Sequence, residues 1–197
     1  MMIDSFRVSL EEALEDNEML AIYTYNPSND QSYFAVGFVR AVHEEDFTFE
    51  AISPGGEPDG IGVRKIEEIV RIEMDTRYLR KIRFLYENVH RAYPKAEPAQ
   101  LRSPAASSTI SEIDTAKRSG EIITLQIGPE NDEGDVEVTG FVEEYDPHYL
   151  KLRMLNSDGE RNGRCIVKIE DIYRLTRSCR SDQRLVFWHE HRAHIYD

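Results

Sequence analysis

The sequence predicts a mainly β, α+β fold of two tandem five-stranded small barrels, each with a short N-terminal helix and a longer C-terminal helix. The first observation is an internal repeat, in which residues 37–72 recur without a gap at residues 140–175, a displacement of 103 positions (140 − 37). The second is that each copy holds five short β-branched and aromatic runs followed by a segment of helical spacing. An ungapped repeat of this length indicates a duplicated domain.

The duplication divides the chain into two domains. A length of 197 residues suits two small domains better than one. The predicted bounds are 1–93 for the first domain and 111–197 for the second. Residues 94–110 between them are rich in Pro, Ala and Ser, which is typical of a linker. Identical residues at matching positions include Gly37/Gly140, Gly56/Gly159, Lys65/Lys168, Glu67/Glu170 and Ile69/Ile172.

Composition and charge exclude several classes of protein. Hydrophobic residues make up 40% of the chain and charged residues 31%, as in an ordinary globular protein. The net charge of −13 opposes binding to phosphate backbones. No apolar run is long enough to cross a membrane, and acids stand early in the chain where a signal peptide needs an apolar core, so we expect a cytoplasmic protein. Cys165 and Cys179 have no close-spaced partner, which argues against a zinc site or a disulfide framework.

Each copy begins with a predicted short helix. Ser9 and Glu12 have the spacing of a capping box, which predicts a helix from about residue 10 to 16. Asn17 ends it, because Asn tolerates the left-handed conformation of a helix stop. In the second copy Ser111 is predicted to cap the matching helix and Gly120 to end it.

Five strands follow in each copy. Gly37 and Gly140 interrupt the second strands, and a glycine at such a place marks a bulge or a sharp bend. Acidic pairs after the fourth strands predict tight turns into the fifth. The predicted strands are 19–25, 33–42, 47–53, 61–66 and 69–72 in the first copy, and 122–127, 136–145, 150–156, 164–169 and 172–175 in the second.

The spacing then changes to that of a helix. In the first copy an apolar stripe predicts a single helix over about residues 75–93. In the second copy the stripe is weaker, because Arg192 replaces Val89. The stripe residues are Tyr78, Ile82, Leu85, Val89 and Tyr93, matched by Leu185, Trp188 and Tyr196.

A helix, five bent strands, a mid-strand glycine and the ending "strand, acidic turn, Ile-x-x-Ile" resemble the Sm-like fold, a variant of the SH3-like barrel. The resemblance covers residues 10–72 and 113–175. It implies association through exposed strand edges into rings, with uridine-rich RNA bound in the ring's pore. In such proteins an Asp and an Asn after the second strand, and an Arg-Gly near the fourth, contact the RNA.

These RNA-binding residues are mostly missing here. Asp146 matches the family Asp, but Leu150 stands in the place of the Asn. In the first copy the same two places hold His43 and Phe47. Neither copy has the Arg-Gly pair, because Arg64 is followed by Lys65 and the second copy reads Val167-Lys168.

The sequence gives little support for a catalytic site or a metal site. The acids 44–46 and 143–144 fall at hairpin tips, where solvated side chains are expected. Lys65 with Glu67, and their repeats, are predicted to pair at the surface. His189, His191 and His194 would need a more distant further ligand to hold a metal. We therefore expect no enzyme, no cofactor and no metal.

A basic face of the first long helix is the candidate partner-binding surface. The basic residues oppose the apolar stripe at 100° per residue, and an aromatic side chain lies among them. Such a surface could contact an anionic or protein partner; the alternative is a helix buried on two sides, between barrels. The candidate residues are Arg77, Arg80, Lys81, Phe84 and Arg91, with Phe187 as the repeat of Phe84.

The sequence thus favours a non-catalytic interaction or scaffolding protein whose partner is another protein or a second copy, with dimerisation through strand edges. The alternative is an RNA-binding protein that uses the basic helix or a barrel surface.

Overall fold

The computed structural model describes residues 2–26, 31–94, 109–128 and 136–196, so most of the predicted linker 94–110 lies outside the described residues. The chain forms two compact units, one of Met1–Val89 with Ile195–Asp197 and one of His90–His194. Both are mixed α+β, each built on a five-stranded antiparallel sheet.

In the first unit, helix α1 precedes five strands, a 3-10 turn and helix α2. The sheet has the order β4-β3-β2-β1-β5. A short helix, α3 (Val89–Ala92), follows α2 in the chain. The bounds are α1 Met2–Glu15, β1 Met19–Asn26, β2 Gln31–Val42, β3 Asp46–Ile52, β4 Pro58–Lys65, the turn Ile66–Glu68, β5 Ile69–Met74 and α2 Arg77–Glu87.

The second unit repeats this order. Its sheet runs β10-β6-β7-β8-β9, which is the same order under the 103-residue shift. A short helix, α6 (Arg192–Tyr196), follows α5 in the chain. The bounds are α4 Thr109–Ser119, β6 Ile122–Ile127, β7 Val136–Tyr145, β8 Tyr149–Leu155, β9 Arg161–Lys168, the turn Ile169–Asp171, β10 Ile172–Arg177 and α5 Arg180–Glu190.

The pairing register follows the repeat as well. Gly37 lies between Leu20 and Ala51. Gly140 lies between Ile123 and Met154, which are the repeats of those two residues. Equal strand order and equal register confirm that the two halves share one architecture.

Both sheets are open, so the predicted barrel closure is not seen. In the first unit β5 pairs with β1, and β4 pairs with β3. No pairing joins β4 to β5 in the described residues, which leaves these two strands at the sheet edges. A barrel needs its first and last strands to pair, and here a 3-10 turn leads the chain from one edge to the other.

Each sheet buries one face under its N-terminal helix. In the first unit Leu10 and Ala13 of α1 pack on a cluster that includes Phe47 and Phe49. In the second unit Ile113 and Ala116 of α4 take the same positions. The alternation of β3, with Phe47 and Phe49 almost fully buried, is that of a strand with one face toward the core.

The helix starts were predicted too late. Helix α1 begins at Met2 and α4 at Thr109, so Ser9 and Ser111 lie inside helices and do not cap them. The helix stops are confirmed, with φ of 48° at Asn17 and 71° at Gly120.

The predicted long C-terminal helices are each broken once. In the first copy Asn88 separates α2 from α3, and its Nδ2 donates to the Phe84 carbonyl at 2.9 Å. At the repeat of this position His191 separates α5 from α6, with Nδ1 2.9 Å from the Phe187 carbonyl. At both breaks, a side chain forms a hydrogen bond with the carbonyl four residues earlier in the chain. The apolar stripe continues across the break, which is why the sequence did not reveal it.

An ion-pair bridge holds α4 to the end of β10. Arg177 donates to Glu112 on α4 and to Glu121 beyond it, at 2.7 Å each, and about a third or less of each side chain is exposed. Burial raises the pKa of Glu121, but hydrogen bonds from Arg177, Ser178 and Ser119 and the charge of Arg177 outweigh it and hold the pKa below its ordinary 4.5. The ionised carboxylate therefore stabilises the folded state.

We expect Arg177→Gln to lower the free energy of unfolding by about 1–2 kcal/mol at pH 7, a value reduced for partial exposure. Because the folded-state pKa of Glu121 is depressed, this contribution is present above the unfolded pKa and is lost as pH falls through the folded pKa. Urea denaturation should thus show a difference between variant and parent that shrinks below about pH 4.5. As a control, Arg118→Gln removes a largely exposed pair with Asp114 on the same helix and should cost under about 0.5 kcal/mol. A difference independent of pH would contradict the bridge.

Candidate interaction surfaces

The predicted basic face lies on α2, and its arginines are exposed. Thr76 caps this helix by accepting from the Leu79 N–H at 3.2 Å. Arg77 and Arg80 are exposed in the first turn. Arg80 makes two bonds to Asp75, at 2.7 and 2.6 Å. The hydrogen bond from Arg80 outweighs burial and, with the charge of Arg80, holds the pKa of Asp75 below its ordinary value. Much of the positive charge of Arg80 is therefore balanced within the chain.

The other members of the candidate set differ in exposure. Lys81 and Phe187 are each only 5% exposed, so they offer almost no side-chain surface in the single chain. Phe84 is half-buried, while Arg91 is exposed and lies 3.2 Å from the His191 ring nitrogen. Helical periodicity places residues on a face but does not say whether another element covers it. Partner binding by this set stays a prediction, with Arg77, Arg80 and Arg91 as its exposed members.

The positions that would bind RNA in Sm-like proteins have other roles. Phe47 and Leu150 are fully buried core residues. Asp146 lies in the β7–β8 turn, where Oδ1 accepts from the His148 and Tyr149 N–H groups at 2.7 and 2.8 Å. These backbone bonds hold the pKa of Asp146 below its ordinary value. Asp146 thus stabilises its own turn.

The acidic residues also have local partners. Glu143 lies 3.0 Å from Arg164 and 3.7 Å from Lys151. The predicted surface pairs are confirmed, with Lys65 3.5 Å from Glu67 and Lys168 3.7 Å from Glu170. All four of these last side chains are more than half exposed, so each pair contributes about 0–1 kcal/mol.

The three C-terminal histidines do not converge. His189 Nδ1 lies 2.7 Å from the Gly159 carbonyl, and His191 Nδ1 bonds the Phe187 carbonyl. The rings of His191 and His194 are 6.5 Å apart. Within the described residues no group of three or more His, Cys, Asp or Glu side chains is arranged to hold a metal. Both cysteines are free thiols, and burial raises the pKa of Cys165.

The edge strand β4 exposes two large aliphatic side chains. Ile61 is 69% exposed and Val63 is 68% exposed, and both lie on the same face of the strand. None of the described atoms lies within 4 Å of a Cβ built at Gly60 or Gly62. At the edge of a sheet, alternate backbone N–H and C=O groups point away from the neighbouring strand. This edge combines backbone hydrogen-bonding groups with aliphatic side chains.

The equivalent edge of the second unit, β9, is more charged. Ile166 repeats Val63 and is 70% exposed, but Arg164 stands in the place of Ile61 and pairs with Glu143. Arg161 and Lys168 add positive charge at the two ends of β9. Charged residues on an edge strand oppose pairing with another chain. The sequence predicted the fourth strands but not their exposure, because the alternation of Ile61 and Val63 does not say which face is covered.

No family model, curated protein sequence or solved structure matches this chain. Among the helices that the structure describes, none has both the length and the apolar character needed to span a bilayer. Function therefore has to be inferred from these surfaces.

Proposed function

We propose that this protein is a non-catalytic interaction protein of two Sm-like units that associates with a second copy through β4. The five-stranded antiparallel sheet and its N-terminal helix support the Sm-like assignment in each unit. The exposed aliphatic pair on β4 carries the functional proposal. Strand addition at such an edge forms backbone hydrogen bonds and buries alternate side chains.

The residues of β4 favour antiparallel pairing with a second β4. If the pairing is centred on Gly62, Ile61 of each copy lies opposite Val63 of the other. The same register brings Asp59, on the far side of the β-bulge at Gly60, close to Lys65 of the other copy, twice across the two-fold axis. Apolar and opposite-charge pairs directly across two strands each contribute about 0.2–1 kcal/mol. One register therefore satisfies both the aliphatic and the charged residues of the strand, as a self-complementary interface requires.

The strand β9 lacks this complementarity. In the equivalent register, centred on Cys165, Arg164 lies opposite Ile166, and Asn162, beyond the β-bulge at Gly163, comes close to Lys168. No acid faces the lysine, and the apolar pair is lost. This contrast supports β4 as the associating edge and leaves the second unit outside the interface.

Sedimentation at about 100 μM, well above a micromolar dissociation constant, should give a dimer. We expect Val63→Lys to raise the dissociation constant about 100-fold, because it places two lysines in the aliphatic centre of the interface. Val136→Lys, a change of an equally aliphatic residue that is 55% exposed on a central strand, should leave the dimer intact.

A charge exchange tests the register itself. Asp59→Lys and Lys65→Asp should each weaken the dimer about 10-fold or more, and the double variant should restore it because the two charges are only exchanged. A monomeric parent protein, or a double variant no better than the single ones, would refute the proposal. Rings or chains larger than a dimer would instead point to pairing of β4 with β5 and contradict the two-fold arrangement.

A further inference from the structure

The second unit contains a polar pocket of about 750 Å³ between helix α5 and the adjacent face of strands β10, β6 and β7. Two rows of side chains cross these three strands and line it. The first row is Thr176, Thr124 and Thr139, and the second row is Arg174, Gln126 and Glu137.

The threonine row is anchored on a buried carboxylate. Asp182 of α5 is only 4% exposed, and it accepts from the Thr124 hydroxyl at 2.9 Å and the Cys179 N–H at 3.1 Å. Thr124 and Thr139 are 2.9 Å apart. Thr124 donates its only hydroxyl proton to Asp182, so in the hydrogen bond between the two threonines Thr139 is the donor and Thr124 the acceptor. The Thr139 oxygen is therefore oriented with its lone pairs available to accept from a ligand.

In the first unit, aromatic rings occupy the position that is equivalent to the pocket. Its matching second row is Arg71, Tyr23 and Phe34, in the same register. The Arg71 guanidinium lies 3.7 Å from the centre of the Tyr23 ring, and Tyr23 stacks on Phe34 with centroids 5.3 Å apart. Tyr78 of α2 adds an edge contact to Phe34 at 6.2 Å. In the second unit Gln126, Glu137 and Ser181 replace these three rings.

Other residues that line the pocket are also more polar than their counterparts in the first unit. Ala21 and Val36 of the first unit become Thr124 and Thr139, and buried Leu79 becomes Asp182. Leucine serves packing at this position, while a buried carboxylate costs free energy unless it is hydrogen-bonded. Packing alone therefore does not account for the polar residues of the second unit.

We infer that this pocket binds a small uncharged polyhydroxylated molecule, a mono- or disaccharide. Hydroxyl and amide groups on its floor both donate and accept, which matches sugar hydroxyls. The charged side chains of the lining are two arginines, Arg174 and Arg184, and two carboxylates, Glu137 and Asp182, so the lining does not favour a ligand of either sign. The volume lies in the range of small-molecule sites. The inference is independent of the association through β4.

Binding can be measured on the full-length protein in two ways. Ligand-observed saturation-transfer NMR with glucose, galactose, maltose and sucrose should show binding to at least one of them at about 20 mM, as expected for a millimolar site. Trp188 lines the pocket and is the only tryptophan of the chain. Its fluorescence should change with the same concentration dependence.

Residues of the first unit, copied into the second, should fill the pocket. Gln126→Tyr with Glu137→Phe copies its aromatic pair onto the same register and should abolish binding, with the far-UV circular dichroism retained. Thr139→Val removes one hydroxyl and should weaken binding about 10-fold. Thr48→Val, at a half-buried threonine of β3 in the first unit, is the matched control and should bind as the parent does.

Several results would overturn the inference. Absence of binding to all four sugars, or binding of glutamate or uridine in their place, would rule out the ligand class. Binding that survives the Gln126→Tyr, Glu137→Phe variant, or that leaves the Trp188 emission unchanged, would rule out the pocket as its location.

Discussion

Gly37→Ala and Gly140→Ala should each lower the free energy of unfolding by about 3 kcal/mol or more, among the larger losses that single substitutions cause. A Cβ at Gly37 would lie 2.9 Å from the carbonyl carbon of Glu50 and closer still to its oxygen. A Cβ at Gly140 would lie 2.9 Å from the carbonyl carbon of Arg153, the repeat of Glu50. These neighbours are backbone atoms of the next strand, so relief would require the two strands to separate.

Gly62→Ala is the matched control in the same sheet. None of the described atoms lies within 4 Å of a Cβ built at Gly62, so the free energy of unfolding of this variant, measured in urea, should stay within about 0.5 kcal/mol of the parent's. Equal stability of all three variants would show that β2 and β7 do not need a glycine there. The predicted reason for these glycines is also refined. They permit close approach of the next strand, while the register irregularities fall later, between Val39 and Ala41 and between Val142 and Glu144.

Gly159→Ala should destabilise the second unit far more than Gly163→Ala, although both glycines have positive φ. Their φ values are 74° and 78°, so the cost of a left-handed alanine, about 1–2 kcal/mol, is common to both. A Cβ at Gly159 would lie 2.9 Å from the His189 backbone nitrogen on α5, whereas none of the described atoms lies within 4 Å of one at Gly163. We expect Gly159→Ala to lower the free energy of unfolding by about 3 kcal/mol or more in total.

The comparison separates backbone strain from packing. Denaturant midpoints of the two variants give the difference directly, and the near-ultraviolet circular dichroism of Trp188 reports on α5. Gly56 should behave like Gly159, because its Cβ would lie 2.9 Å from the Tyr86 backbone nitrogen on α2. If Gly159→Ala and Gly163→Ala lower the free energy of unfolding equally, the turn between β8 and β9 does not pack against α5.

Much of the architecture was predictable because its causes are local or repeated. The strands begin and end within a few residues of their predicted bounds, since apolar alternation and turn residues are read from neighbouring positions. Asn17 and Gly120 end their helices because a left-handed residue is a local requirement. Lys65 and Glu67 pair because they are neighbours on one turn. The ungapped repeat then predicted that whatever one half forms, the other forms too.

The remaining features depend on contacts between distant residues. Ile61 and Val63 are exposed because β4 is an edge strand, and that follows from the pairing of β1 with β5, some fifty residues apart. Lys81 is buried although its helical position suggested exposure. The pocket of the second unit could not be read from Gln126 or Glu137 alone. The repeat and the apolar alternation were sufficient to predict the duplicated strands, their glycines and their order along the chain. Which strand lies at an edge and which face is covered follow from the folded structure alone, because both depend on side chains that the fold brings together from distant parts of the chain.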